Sequence, residues 1–314
     1  MKILVTGATG YVGRALIPTL ERLYGKENIT ALDSKTFSIL NDTYESLTRQ
    51  QYEQYNPSYT NVDFIIHLAV KTHAGDYCRV HQGEQFLINS EINNKVLQYW
   101  KKWQPQAHFI TFGSSCGYNN DVIKIPENYL IGEPEKGYEI YGYIKRHLLV
   151  GLQALHKEYN MSFDYLIPST IYGPGYDLED KHFIFELIRK LTNFNKIPTL
   201  WGDGQQKRDL IYIDDVVNTI IRKIQKFALV NIEQKTSFNN IENLCSGDSW
   251  TIEEYANVIC RIIGRDPKII KWDISKHVGT IDKTLVRGFD EGLSYSYYAG
   301  LSNTISYYKN ILQI

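Results

Sequence analysis

Through the first half of the chain, short and mostly apolar runs alternate with stretches whose apolar residues recur every three or four positions. Residues 2–6, 29–33, 62–68 and 107–112 are such runs, as expected of parallel strands buried on both faces. Between and after them, Ala15, Leu16, Leu20 and Leu23 keep a helical period. So do Ile88, Ile92, Val96 and Trp100, and then Ile144, Leu148, Leu149, Leu152 and Leu155. Strand following helix following strand predicts an α/β fold with a doubly wound parallel sheet. From about residue 170 the alternation loosens. Ile184, Leu187, Ile188 and Leu191 mark one helix, and 210–213 and 239–245 read as strands. Asp214 and Asp215 open an apolar helix, and 251–263 is a helix whose start, Thr-x-x-Glu, resembles a capping box. The expected division is a dinucleotide-binding domain over 1–170, to which the chain returns around 210–245. A smaller mixed α/β substrate lobe takes most of 171–314.

Composition narrows the classes. With 314 residues and 43% hydrophobic content, the chain can bury a large core. Its 34 basic and 35 acidic residues leave a formal charge of −1, so no polybasic surface points to nucleic acid or to an anionic membrane. Cys78, Cys116, Cys245 and Cys260 form no C-x-x-C pair, which fits reduced thiols in a cytoplasmic protein and argues against a disulfide frame or a zinc site. The start M-K-I-L-V-T-G is too briefly apolar for a signal peptide, and no stretch is long enough to span a bilayer.

The first chemical signal is Gly7-Ala8-Thr9-Gly10-Tyr11-Val12-Gly13, G-x-x-G-x-x-G between a strand and a helix. Glycines there let the backbone approach a pyrophosphate, and the helix N-terminus offers N–H donors. This gives the sheet a Rossmann character and makes Gly7, Thr9, Gly10, Tyr11, Val12 and Gly13 candidate cofactor contacts. Asp33 ends the second strand, where a carboxylate accepts hydrogen bonds from adenosine ribose hydroxyls and repels a 2′-phosphate. Ser34 follows as a further contact. NAD is favoured, with NADP left open by Lys35. Leu68 and Ala69, at a strand's carboxyl end, come next to the cofactor. His67 reads as a packed core histidine and His73 as a loop residue. Asn89 either fixes a loop or touches the cofactor.

The second signal is Tyr141-Gly-Tyr-Ile-Lys145. Residues four apart share a helix face, and an ammonium beside a phenol pulls its pKa from about 10 toward neutrality. A tyrosine so tuned exchanges a proton with a sugar hydroxyl. Ser114, at the end of the 107–112 strand, can bond the same oxygen.

These segments together resemble the extended short-chain dehydrogenase/reductases, the NAD-dependent epimerase/dehydratase family of nucleotide-sugar enzymes. The resemblance rests on T-G-A-T-G-Y-V-G, H-L-A, G-S-S-C-x-Y, Y-x-x-x-K, P-S-T-I-Y-G-P-G and W-G-D-G-x-x-x-R-D-L-I-Y-I-D-D, and it covers nearly the whole chain. The GDP-L-fucose synthase branch is the most similar, although the loop reads C-G-Y-N-N where that branch has C-I-Y-P. The resemblance implies Ser114, Tyr141 and Lys145 as the catalytic set. It implies Cys116 and His182 as proton-exchanging groups beside a keto carbon. Pro168 joins the cofactor contacts, and Ser114, Ser115, Cys116, Trp201 and Arg208 the substrate contacts. Arg208 is the expected diphosphate ligand, since a guanidinium matches phosphate oxygens.

The expected activity is NAD(H)-dependent oxidation or reduction at C4 of a nucleotide-diphosphate sugar, GDP-linked hexose or heptose favoured. The setting is surface (capsule) polysaccharide precursor synthesis in a bacterial cytoplasm. A 4-epimerase and a 3,5-epimerase/4-reductase are the chemical alternatives. A non-catalytic dinucleotide-binding scaffold is the alternative of another class. A dehydratase is disfavoured, because Ser114, Ser115 and Cys116 stand where those enzymes resemble one another in Thr-Asp-Glu. The apolar faces at 88–100 and 144–155 suit either a homodimer (or higher homo-oligomer) or ordinary core.

Overall fold

In the computed structural model, which describes residues 1–33, 61–72, 77–177, 182–230, 238–276, 282–288 and 293–312, Ile3–Thr6 is the first strand, β1. It pairs in parallel with β2 (Ile29–Leu32) on one side and β3 (Phe64–His67) on the other. Beyond β3 come β4 (His108–Phe112), β5 (Phe163–Pro168) and, much later in the chain, Asn239–Leu244. The result is a six-stranded parallel sheet with β1 inside it. Strand side chains alternate between faces, so one strand feeds two cores. Ile3 and Val5 enter a core with Phe64, Ile66 and Ile110, while Leu4 enters another with Ile65 and Phe109. That is why these strands read as apolar runs.

Two helix pairs cover the two faces. Helix α1 (Tyr11–Tyr24) sends Leu16 and Leu20 into the Ile3–Val5 core. On the other face lie α3 (Gln82–Trp103), after the short α2 (Tyr77–Val80), and α4 (Glu139–Tyr159). Ile92, Val96 and Trp100 of α3 and Leu148, Leu149 and Leu152 of α4 share one core with Leu4 and Ile65. Both stripes are therefore taken up within the chain. Each fully buried leucine contributes roughly 1.5–3 kcal/mol.

After β5 the chain forms β6 (Thr170–Tyr172), α5 (Phe183–Thr192), β7 (Thr199–Trp201) and β8 (Lys207–Tyr212). Helix α6 (Ile213–Leu229) then returns to the first sheet, its Val216, Ile220 and Ile224 in the Ile3–Val5 core, and the 239–244 strand, β9, pairs with β5. The second lobe gathers β10 (Ser249–Thr251), α7 (Ile252–Ile263), β11 (Lys271–Asp273), β12 (Asp282–Lys283) and α8 (Tyr297–Leu312). Thr251 and Glu254 complete the capping box at the start of α7. Strands β6, β10 and β12 all pair with β8, and Tyr172, Phe185, Tyr255 and Tyr297 fill this lobe's own core. Among the described residues, no helix is long and apolar enough to cross a membrane.

Candidate active site

A cavity of about 1080 Å³ opens where the carboxyl ends of β1–β5 face the second lobe. Its floor is the turn after β1. Gly7 has φ +70°, and a Cβ there would stand 2.7 Å from the Ala69 nitrogen. A Cβ on Gly13 would stand 2.4 Å from the Gly7 oxygen. The turn and α1 thus close up on β3 only because these positions lack side chains. No acidic residue occupies the first turn of α1, so its N-terminal dipole end is uncompensated. Arg14 donates to the Thr9 carbonyl at 2.5 Å and to the Gly175 carbonyl at 2.7 Å, tying this turn to the far wall. Half-buried Asp33 lies at the end of β2, on the cavity. A backbone cradle of this shape, with a carboxylate beside it, fits a dinucleotide. Thr9, Gly10, Tyr11, Val12, Leu68, Ala69 and Pro168 line the same cavity. Ser34, Lys35 and His73 lie outside the described residues.

Two of the expected contacts are elsewhere. Asn89 is buried beneath the wall: its Oδ1 accepts from the Lys71 N–H at 2.7 Å, and its Nδ2 donates to the Lys71 carbonyl at 3.0 Å. It fixes the loop after β3 and does not line the cavity. Trp201 is 59% exposed on β7, outside the cavity lining, with the Lys190 ammonium 5.8 Å from its ring centre. Edge strand β7 turns it toward solvent. His67 is buried and bonded to Thr6 through Nδ1 at 2.7 Å. Burial, helped by the Lys145 charge, lowers its pKa to about 3, so it is a neutral ring.

Ser114, Tyr141 and Lys145 all line the cavity. Ser114 caps a tight turn over Ser115–Gly117, its Oγ accepting from the Cys116 N–H at 3.2 Å. The backbone of Ser114 is clamped by the Tyr129 hydroxyl, which stands 3.3 Å from the Tyr165 hydroxyl. Tyr165 in turn donates to the Lys145 carbonyl at 2.8 Å. Buried phenols thus couple the serine loop to the helix that carries Tyr141 and Lys145. Arg146, donating to the Gly117, Gly132 and Ile131 carbonyls, anchors the intervening loop.

The charges differ from the sequence-based expectation. Lys145 Nζ donates to the Phe112 carbonyl at 3.0 Å and stands 5.8 Å from the Tyr141 ring centre. Burial lowers its own pKa to about 8. The Tyr141 phenol is raised above its ordinary value, by burial first and then by Cys116 and Cys78, with a hydrogen bond to Thr72 acting the other way. Desolvation dominates, so the phenol is held protonated at neutral pH.

Cys116, Tyr138, His182, Phe183 and Arg208 line the same cavity. Ser115 lines it beside Cys116. His182 immediately precedes α5, its ring 6.0 Å from Tyr176. Two charged groups here escaped sequence reasoning. Lys283 is the Cα partner of Arg208 in the β8–β12 pair, so both side chains leave the sheet together toward the cavity. Glu135 is buried and paired with Lys283 Nζ at 2.7 Å. No local pattern announces either residue; a strand pairing brings in Lys283, and a loop bonded to the Cys116 backbone brings in Glu135.

A glycine-cradled α1, an acid at the end of β2 and a Ser–Tyr–Lys set at the strand ends define a dinucleotide-binding oxidoreductase of the Rossmann kind. The profile of the NAD dependent epimerase/dehydratase family matches residues 3–239, and the chain belongs to that NAD(P)-dependent enzyme family. It is 28% identical to the GDP-L-colitose synthase of Yersinia pseudotuberculosis over 99% of this chain and 98% of that one. It is 29% identical to a GDP-L-fucose synthase of Dictyostelium discoideum, over 90% and 85% of the two chains. The fold is shared with the GDP-6-OMe-4-keto-L-xylo-heptose reductase of C. jejuni, with a TM-score of 0.80, 18% identity and coverage of 99% and 98%.

Proposed function

We propose that this protein reduces, or in reverse oxidises, C4 of a GDP-linked hexose or heptose with NAD(H). The observation that supports this reading is the gathering of Ser114, Tyr141, Lys145, Arg208 and the glycine cradle around one cavity. When bound, the nicotinamide supplies or accepts the hydride. Ser114 Oγ and the Tyr141 hydroxyl bond the C4 oxygen and orient the sugar. Because burial keeps Tyr141 protonated, it is set to give its proton to that oxygen as a ketone is reduced. Lys145 holds the nicotinamide ribose, and Arg208 the diphosphate. Asp33 supports NAD over NADP. The synthase names of the relatives support a GDP-sugar and a place in surface-polysaccharide precursor synthesis in the cytoplasm. Exposed Phe86, Leu87, Tyr143 and Val150 on the outer sides of α3 and α4 support a homodimer.

The test is a panel of GDP-, UDP- and dTDP-linked 4-ketosugars with NADH and NADPH, followed by cofactor absorbance and product NMR. Turnover confined to GDP-ketosugars with NADH is expected. Turnover of UDP- or dTDP-sugars alone, or unchanged turnover by Tyr141→Phe, refutes the proposal. A second reading, epimerisation beside the carbonyl before reduction, is favoured by one observation: Cys116 lines the same cavity as Tyr141, its Sγ 3.8 Å from Lys283 Nζ.

A further inference from the structure

Lys283 and Glu135 form a nearly buried ion pair, with side-chain exposures of 18% and 4%, against the wall of the cavity. Burying two charges is costly, and a well-packed apolar pair of the same size is often no less stable. Their placement points to use. Lys283 Nζ stands 2.7 Å from Glu135 Oε2, 3.8 Å from Cys116 Sγ and 4.9 Å from the centre of the Tyr138 ring. The Glu135 N–H donates to the Cys116 carbonyl at 3.1 Å, so the two backbones are tied as well. The other titratable groups facing this sulfur are Tyr138, Tyr141, Tyr129 and the Arg208 guanidinium. Burial pushes the Cys116 thiol up to about 11; Lys283 pulls against that and Glu135 adds to it. For Lys283, burial acts to lower the pKa, but Cys116 and Glu135 outweigh it and hold the ammonium charged.

We propose that Lys283 and Glu135 are positioning residues that set the protonation of Cys116 for proton exchange at a ring carbon beside the substrate carbonyl. The proposal rests on the epimerising reading given above. Cys116 Sγ–H breaks and its proton goes to the enolate carbon, whose electron pair forms the new C–H bond. The sulfur keeps the S–H electrons as a thiolate, against the Lys283 ammonium. The proton lost earlier from the opposite face of that carbon goes to solvent, its C–H electrons staying behind as the enolate, and solvent returns a proton to sulfur, so the cycle is proton-neutral. Lys283 favours the thiolate. Glu135 holds Lys283 in place and restrains that effect, keeping the thiol in the resting site.

The test does not need the substrate. Carboxamidomethylation of Cys116 by iodoacetamide, read from the mass of its peptide, reports thiolate at a fixed pH below the midpoint. An opposite charge this close is worth roughly one to three pKa units. Lys283→Met is therefore expected to slow alkylation about tenfold or more, Glu135→Gln to speed it, and Lys283→Arg to restore the wild-type rate. A merely structural pair moves both neutral variants in the same direction. That outcome, or no shift in either with circular dichroism unchanged, overturns the proposal. With a GDP-4-ketosugar in heavy water, Lys283→Met is expected to lower deuterium incorporation beside the carbonyl about tenfold more than it lowers the reduction rate. An equal fall in both overturns the role in exchange. If the wild type turns over no 4-ketosugar, the proposed function fails while the alkylation rates still decide the pair.

Discussion

Replacing Lys145 by methionine separates what the site costs from what it does. Lys145 is 8% exposed, and burial takes its pKa from 10.5 to about 8. At about 1.4 kcal/mol per unit, the buried charge costs about 3 kcal/mol of stability. The unfolded chain binds the proton more tightly than the folded one. The penalty is therefore complete below about pH 8, and stability rises with pH between about 8 and 10.5 as the folded protein loses the proton. Methionine keeps most of the packing and removes the charge. It also leaves the Phe112 carbonyl, now 3.0 Å from Nζ, without that donor, at a cost of about 1 kcal/mol. Lys145→Met is thus expected to stabilise the protein by about 2 kcal/mol near pH 7, raising Tm by roughly 4 °C, while turnover falls by about a hundredfold or more. Differential scanning calorimetry at about pH 7 and about pH 10 reads the effect, and the gain should shrink at the higher pH. A variant that melts below wild type at neutral pH, or one whose advantage is the same at both, refutes the reasoning. The expected trade of stability for activity is that of a group held in place for chemistry.

Other consequences are as direct. Tyr141→Phe should lower turnover roughly 10²–10⁴-fold with dinucleotide affinity kept, by fluorescence titration; because burial raises the phenol, wild-type ketone reduction should hold level through neutral pH and fall only in alkali. Gly13→Ala should abolish dinucleotide binding by calorimetry, since its Cβ would lie 2.4 Å from the Gly7 oxygen and 2.5 Å from that of Ala8, both backbone. Lys223→Met should cost about 1–3 kcal/mol in urea denaturation, because it takes the ammonium from Glu242, 2.6 Å from Nζ, and from the buried Asp164, 3.5 Å away, leaving Asn240 on both carboxylates and His108 on Asp164; a loss under about 0.5 kcal/mol would count against a structural role for the lysine.

Much of this was legible in the sequence because it is local. The glycine turn, the Tyr141–Lys145 spacing and the Thr251–Glu254 box each lie within a few residues, where backbone geometry alone sets what can meet. Asn89 shows where local reading stops: a polar residue off the apolar stripe of a helix is visible, but which wall it serves depends on the loop after β3. The direction of the Tyr141 shift was misread for a related reason. The Lys145 charge is four residues away and can be counted, whereas the burial of the ring, and the approach of Cys116 and Cys78, come from other elements.

The sequence by itself determined the fold class, the glycine turn after β1 and the helical spacing of Tyr141 and Lys145, since periodicity and turn chemistry act over a few residues. Tertiary structure alone decided the surroundings of Cys116. Lys283 reaches Cys116 across 167 positions of sequence because β12 pairs with β8, and Glu135 meets it because its loop is bonded to the cysteine's backbone. Desolvation, a property of the closed packing rather than of any stretch of chain, then sets whether the Tyr141, Lys145 and Cys116 groups carry charge.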